Sequence, residues 1–259
     1  MSNDYETETI TTVREKLSAW FLTGLGQSLV HTEREHIDQV LPGLFGYHIL
    51  QVGSLAGLDY LSSTRISHKI TLLIDAREYG TSDCIYCSCE SLPVASECID
   101  VVVLPHLLEF ASSPHQVLRE VERILIGEGH VVIIGFNPWS LWGLWRVLLR
   151  WWDTAPWCGR FLGVPRIKDW LSLLDFEIVG TERLFYRPPL HNQKVMDKLM
   201  FMEKLGRFCW HYLGGVYVIV AKKRVIPLTP VRMQWSARRR MIASGVAEPS
   251  ARKVMKTDG

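Results

Sequence analysis

Apolar and polar positions alternate along this chain with two distinct periods. Leu17, Phe21, Leu25 and Leu29 recur at intervals of four, which predicts helix over 10–40. The turn residues Pro42 and Gly43 follow, and then short β-rich runs begin: 48–52 (His-Ile-Leu-Gln-Val), 69–74 (Lys-Ile-Thr-Leu-Leu-Ile), a weaker 83–87, 99–104 (Ile-Asp-Val-Val-Val-Leu) and 130–134. A helix is predicted over 113–125. Ser112 or Ser113 suits its N-cap, Pro114 its first turn, and Gly127 and Gly129 its end. A Trp/Leu-rich stretch occupies 139–157, helix is expected over 166–174, and strands over 176–179 and 216–221.

Several strands are near-continuous Val/Ile/Leu runs, the pattern of strands covered on both faces. Strand and helix alternate, so the class is α/β with a largely parallel, doubly wound sheet. In such sheets ligands sit outside the carboxyl ends of the strands, at the switch point in strand order. The expected organisation is a helical N-terminal extension (1–45), a core domain (46–224) carrying a Trp-rich insertion (139–165), and a basic tail (225–259).

Composition narrows the function classes. Of 259 residues, 47% are hydrophobic and 22% charged, which excludes disorder throughout. No apolar run reaches the ~18 residues of a membrane span, and no secretory signal is visible, so a cytoplasmic protein without an integral membrane segment is expected. Six cysteines are too few for a disulfide scaffold. Charge is uneven: from Ala221 onward there are ten Lys/Arg against two acids, while the first 220 residues carry nineteen against twenty-five. Such a tail either contacts RNA or an anionic surface, or is simply a solvated end.

Chemistry-bearing motifs cluster at the strand ends. Gln51-Val-Gly-Ser-Leu-Ala-Gly57 supplies glycines that would let a ligand approach the backbone. Downstream, 92–110 (Leu-Pro-Val-Ala-Ser-Glu-Cys-Ile-Asp-Val-Val-Val-Leu-Pro-His-Leu-Leu-Glu-Phe), 114–125 (Pro-His-Gln-Val-Leu-Arg-Glu-Val-Glu-Arg-Ile-Leu) and Gly127-Glu-Gly-His-Val-Val-Ile133 follow in order. Together they resemble the type 11 family of class I S-adenosylmethionine-dependent methyltransferases, whose usual pattern is LPF…FDVV…H-x-LEH…LREV-x-RVL-x-x-GG. Gly135-Phe-Asn-Pro-Trp-Ser140 and 170–179 look like a poorly characterised bacterial branch of it.

The resemblance implies a seven-stranded Rossmann-like methyltransferase fold whose last two strands pair antiparallel. It also implies S-adenosylmethionine as cofactor and an unidentified methyl acceptor. By it, Gly53, Ser54 and Gly57 form the cofactor's glycine loop, and Asp75 takes the ribose hydroxyls. Ser88 and Cys89 border adenine, and Pro105 and His106 face the methyl donor. Three positions depart from the family pattern: Gln51 stands where an acid is usual, Leu55 where the middle glycine is, and Ser88 where an adenine-side acid is. These departures motivate an alternative, an inactive methyltransferase fold serving as a scaffold; an RNA-binding protein using the tail is another.

His106 is a candidate general base, since imidazole titrates near neutral pH, or else a residue that shapes the pocket. Asn137 could orient a polar acceptor or hold a turn. Trp139, Trp142, Trp145 and Leu149 fall near one helical face. That face reads either as core packing or as an amphipathic lid that grips an apolar or aromatic acceptor or rests on a membrane. Cys84, Cys87 and Cys89 lie close together, but strand alternation splits them, so no metal is expected.

Overall fold

A computed structural model describes residues 13–54, 57–74, 85–149, 156–189 and 210–225. The chain divides into a unit over Met1–Val225 and another over Ile226–Gly259, and every described residue belongs to the first.

The Val/Ile/Leu runs form one seven-stranded sheet ordered β3-β2-β1-β4-β5-β7-β6. The strands are β1 (His48–Val52), β2 (His68–Leu73), β3 (Ile85–Tyr86), β4 (Ile99–Pro105), β5 (Leu125–Phe136), β6 (Phe176–Leu184) and β7 (Val216–Lys223). β1 to β5 pair in parallel. β7 inserts antiparallel between β5 and β6. The order reverses between β1 and β4, so Val52 and Pro105 end at the switch point, where the topology places ligands.

β5 runs longer than the 130–134 that the apolar pattern suggested. It starts at Leu125, directly after the helix, with Glu128 at φ 69° beside a register irregularity between Ile99 and Val101. Its flanking glycines therefore lie inside the strand rather than before it.

Helices cover both faces. On one lie α3 (Pro114–Ile124) and α5 (Val164–Leu173), packed on Leu50, Val102, Val131 and Ile219. Pro114 opens α3 as expected, but the Ser113 hydroxyl makes no capping bond. The Glu90 carboxylate accepts from Ser113 N–H at 2.9 Å instead, placing an anion at the helix's positive end.

The other face is covered by α1 (residues 13–21), α2 (Gly24–Val40) and α4 (Leu141–Leu149), packed on Ile49, Val101, Val132 and Val218. The single helix expected over 10–40 is interrupted at Leu22–Thr23, because the Thr23 hydroxyl caps α2 by accepting from Gly26 N–H. Among the described residues, no α-helix joins β1 to β2. That stretch is rich in turn-forming residues (Gly57, Asp59, Ser62, Ser63), and it anchors Tyr60, Leu61 and Ile66 beneath the N-terminal helices. The extension thus takes over the layer that a crossover helix would fill.

The tryptophan stretch divides in two. Trp142 is completely buried, packed among Trp20, Phe136, Trp157 and Phe185, with its indole N–H donated to the Arg187 carbonyl. Trp139 precedes the helix and points outward, so it does not share the face of Trp142 and Trp145 that its spacing suggested. Trp151 and Trp152 lie outside the described residues.

Candidate functional site

At the end of β1, Gly53 adopts φ 85°, a left-handed conformation that side chains resist. The turn is held from beneath by Gln51, which is fully buried. Its amide donates to the carbonyls of Gly53 (3.1 Å) and Leu58 (2.9 Å), and its oxygen accepts from Tyr60 N–H (3.0 Å). A carboxylate could not donate to those two carbonyls, so an amide suits this loop better than the acid usual at the position. Gln51 shapes the loop and does not present itself to a ligand.

On the loop's other side stands Arg14 of α1, buried to 2% exposure. A Cβ added to Gly53 would lie 2.9 Å from its guanidinium Nη2. Ser54 is buried alongside, while Gly57 turns at φ 70°. Leu55, Ala56 and Asp75 lie outside the described residues.

The end of β4 is wholly enclosed. Pro105 is its last residue, and His106 turns at φ 45°, which costs about 1–2 kcal/mol for a side chain of this size and directs its ring inward. The imidazole packs against Phe136 (4.3 Å between centroids) and Phe21, with no exposed surface. Its Nε2 lies 2.8 Å from Oε1 of Glu33 on α2, and its Nδ1 is 3.7 Å from Glu109, an ion-pair separation beyond hydrogen-bond length.

The second Glu33 oxygen accepts from Tyr60 Oη at 2.6 Å, and Glu109 accepts from Phe136 N–H at 2.6 Å. Burial alone would push the His106 pKa down; the Glu33 and Glu109 carboxylates overcome that and raise it to about 9. That direction favours the imidazolium, which has no free nitrogen to take a proton. Tyr217 packs beside Glu109, and its phenol is pushed well above its ordinary pKa by burial and then by the Glu109 charge. Only a glycine at 135 leaves room for the Tyr217 hydroxyl and the Glu109 carboxylate, since a Cβ there would fall within 2.4 Å of the phenol oxygen.

Asn137, at the end of β5, uses its whole side chain as a bracket. Its Nδ2 donates to the Tyr212 and Gly214 carbonyls, and its Oδ1 accepts from Trp139 N–H. Ser88 is exposed beyond β3, accepting from Glu90 N–H, and Cys89 is buried beside it. Both are two strands from Gly53 in the sheet order. No group of three or more potential metal ligands converges among the described residues. A polar cleft of about 430 Å³ lies between α2 and the end of β6, lined by residues that include Glu35, His36, Glu182 and Arg183. It borders neither Gly53 nor His106.

The sequence matches the family model described as a methyltransferase domain over residues 51–133. It is 32% identical over 204 residues to the uncharacterized protein YafS of Escherichia coli K12, covering 78% of this chain and 79% of that one. The chain belongs to the type 11 methyltransferase family. Solved methyltransferases share the family fold at low identity. A chain from the complex of the Haloferax volcanii Trm112 methyltransferase activator with a methyltransferase has a TM-score of 0.58 at 14% identity, over 83% of this chain and 98% of its own. A SAM-dependent methyltransferase of Thermotoga maritima has 0.55 at 15%, over 80% and 94%, and one of Archaeoglobus fulgidus 0.53 at 19%, over 74% and 93%.

S-adenosylmethionine is the methyl donor that the type 11 family implies, and the residues at the end of β1 fit its amino-acid end. The Gly53 N–H donates to the Leu72 carbonyl at 2.8 Å and the Ser54 hydroxyl to the Leu58 carbonyl at 3.4 Å, so the Arg14 guanidinium beside Gly53 is the group suited to an amino-acid carboxylate. The family's most recognisable motif proves architectural. Arg123 on α3 donates to the carbonyls of Leu92 and Val94 and to Glu120, whose carboxylate accepts from Leu92 N–H. The L-R-E-V-x-R pattern thus pins the segment entering β4.

Sequence reasoning passed over Arg14, Glu33 and Tyr60. The first two carried a signal: Glu33 continues the four-residue series Leu25, Leu29, Glu33, Ile37, and Arg14 lies three and seven residues before Leu17 and Phe21. A charge inside an apolar stripe points to a buried partner.

Proposed function

We propose that this chain transfers a methyl group from S-adenosylmethionine to an unidentified, apolar or aromatic acceptor in the cytoplasm. The observation that carries the reading is the left-handed Gly53 turn at the β1/β4 switch point, with the Arg14 guanidinium seated against it. When bound, the cofactor supplies a sulfonium whose methyl is already activated, so the protein's task is alignment and exclusion of water.

In this reading Gly53, Ser54 and Gly57 receive the methionine portion and Arg14 holds its carboxylate. Asp75 accepts from the ribose hydroxyls, and Ser88 and Cys89 border the adenine. Pro105 and His106 form the wall behind the reacting methyl. His106 acts there as a positioning residue: its buried imidazolium fixes the β4 turn and does not take a proton from the acceptor. Asn137 likewise holds the β5 end against residues 212–214. The suitable acceptors are therefore nucleophiles that need no base from His106.

Calorimetry with S-adenosylhomocysteine tests the reading. Saturable binding that Gly53→Arg abolishes supports it, and absence of binding at millimolar ligand overturns it. One observation favours the second reading, a fold that binds without transferring: the enclosed Glu33–His106–Glu109 cluster leaves no titratable side chain of that cluster facing solvent. Transfer of labelled methyl to any RNA, protein or lipid fraction of a cell extract eliminates it.

A further inference from the structure

The surface of α4 carries a feature that methyl transfer does not use. Buried Trp142 clamps the helix to the core, but Leu144, Val147 and Leu148 on its outer side are 66%, 67% and 68% exposed, and Trp139 just before it is 73% exposed. Positions 144, 147 and 148 share one helical face, so they form a single projecting ridge. Isolated exposed apolar residues are ordinary, whereas a contiguous ridge held outward on a fixed helix marks an interaction surface. Tyr212, 72% exposed, stands close by, because Asn137 joins its carbonyl to the turn that carries Trp139.

Cations accompany the ridge. Arg146 on α4 turns inward, its guanidinium over the buried Phe161 ring and its Nε donating to the Trp157 carbonyl. Arg160 and Arg166 are exposed on the adjacent segment, which meets the Trp139 indole at Gly163. From Gly135 to Lys168 the sequence holds five Lys/Arg and one acid, and from Ile226 to the end seven against two.

We propose that α4 is a peripheral membrane-docking element that inserts Trp139, Leu144, Val147 and Leu148 into the interface of an anionic lipid surface. A helix with aliphatic side chains outward, an exposed tryptophan just before it and arginines on the adjacent segment is suited to lie in the headgroup boundary. The exposed Arg160 and Arg166 supply the second, electrostatic signal that stable attachment requires. The ridge is aliphatic. RNA is a poorer match, since Leu and Val offer no stacking platform. A second copy is a poorer match too, since a two-fold interface would bring the same arginines face to face.

Flotation of the full-length protein with vesicles tests the proposal, comparing neutral phosphatidylcholine with the same lipid containing one-third phosphatidylglycerol. The protein is expected to float with the anionic vesicles only. The L144E/L148E variant, with an unchanged melting temperature, is expected to bind at least tenfold more weakly, and raised salt to weaken wild-type binding. L144Q/L148Q serves the same purpose if the glutamates impair folding. Three results would overturn the proposal: no flotation of wild type, equal flotation of either variant that folds, or ridge variants that change oligomeric state or RNA binding while leaving flotation intact.

Discussion

The Nε2 atom of His106 lies 2.8 Å from Oε1 of Glu33, and neither side chain reaches solvent. This contact joins the end of β4 to the middle of α2 across 73 residues of sequence. It makes the N-terminal helices part of the site, because the layer that carries Glu33 also carries Arg14 to the glycine loop.

The contact predicts a pH dependence of stability. A histidine whose folded pKa is raised to about 9 stabilises the fold fully below its unfolded value of about 6.5, and that stabilisation is lost as pH rises through 9. The melting temperature should fall between pH 6.5 and 9, by a free-energy change of up to about 3 kcal/mol. His106→Gln should melt lower at pH 6.5 and lose most of that slope; an unchanged slope would show that the pair is not charged.

Gln51 supplies a second test. Gln51→Glu replaces the donor to the Gly53 and Leu58 carbonyls with an oxygen, leaving two acceptors facing a buried charge. Despite restoring the acid usual in the family, it should destabilise the chain by about 2–4 kcal/mol, measured by urea unfolding, and weaken S-adenosylhomocysteine binding.

Arg14→Gln distinguishes the two ends of the cofactor. Its affinity for S-adenosylhomocysteine should fall at least tenfold, a loss in keeping with one charge-assisted bond at about 1.5–3 kcal/mol. Its affinity for 5′-methylthioadenosine, which lacks the amino-acid carboxylate, should stay the same. Equal losses for both ligands in calorimetry would mean that Arg14 supports the fold only.

Arg123→Ala should free the segment entering β4, since one guanidinium holds the Leu92 and Val94 carbonyls. The expected cost is about 1–3 kcal/mol, with faster amide exchange on the segment it pins and in β4. Protection equal to wild type there would contradict the clamp.

β1, β2 and β4 were legible because each is a short apolar run bounded by turn residues, and β1 falls at the expected 48–52, whereas β5 and β6 extend through polar residues beyond the runs that marked them. The motif over 92–134 identified the family because its residues build the parallel core and its clamp. Less legible were the roles of individual polar residues. His106 and Asn137 suit catalysis by residue type, yet both spend their side chains inside the protein. Gln51 looked like a lost acid, but its partners lie two to nine residues along a loop whose path the sequence does not state.

By itself the sequence determined the α/β class, the family and the edge of the sheet at which ligands gather. These follow from local periodicity and short-range motifs, which operate within a dozen residues. Only the tertiary structure decided that Arg14 lies against the glycine loop, that His106 is enclosed beside the Glu33 and Glu109 carboxylates, and that the tryptophan stretch buries Trp142 while exposing Trp139. Each of these depends on which side chains meet across long separations. Burial and neighbouring charge, set by that meeting, fix protonation and exposure in a way that residue type alone cannot.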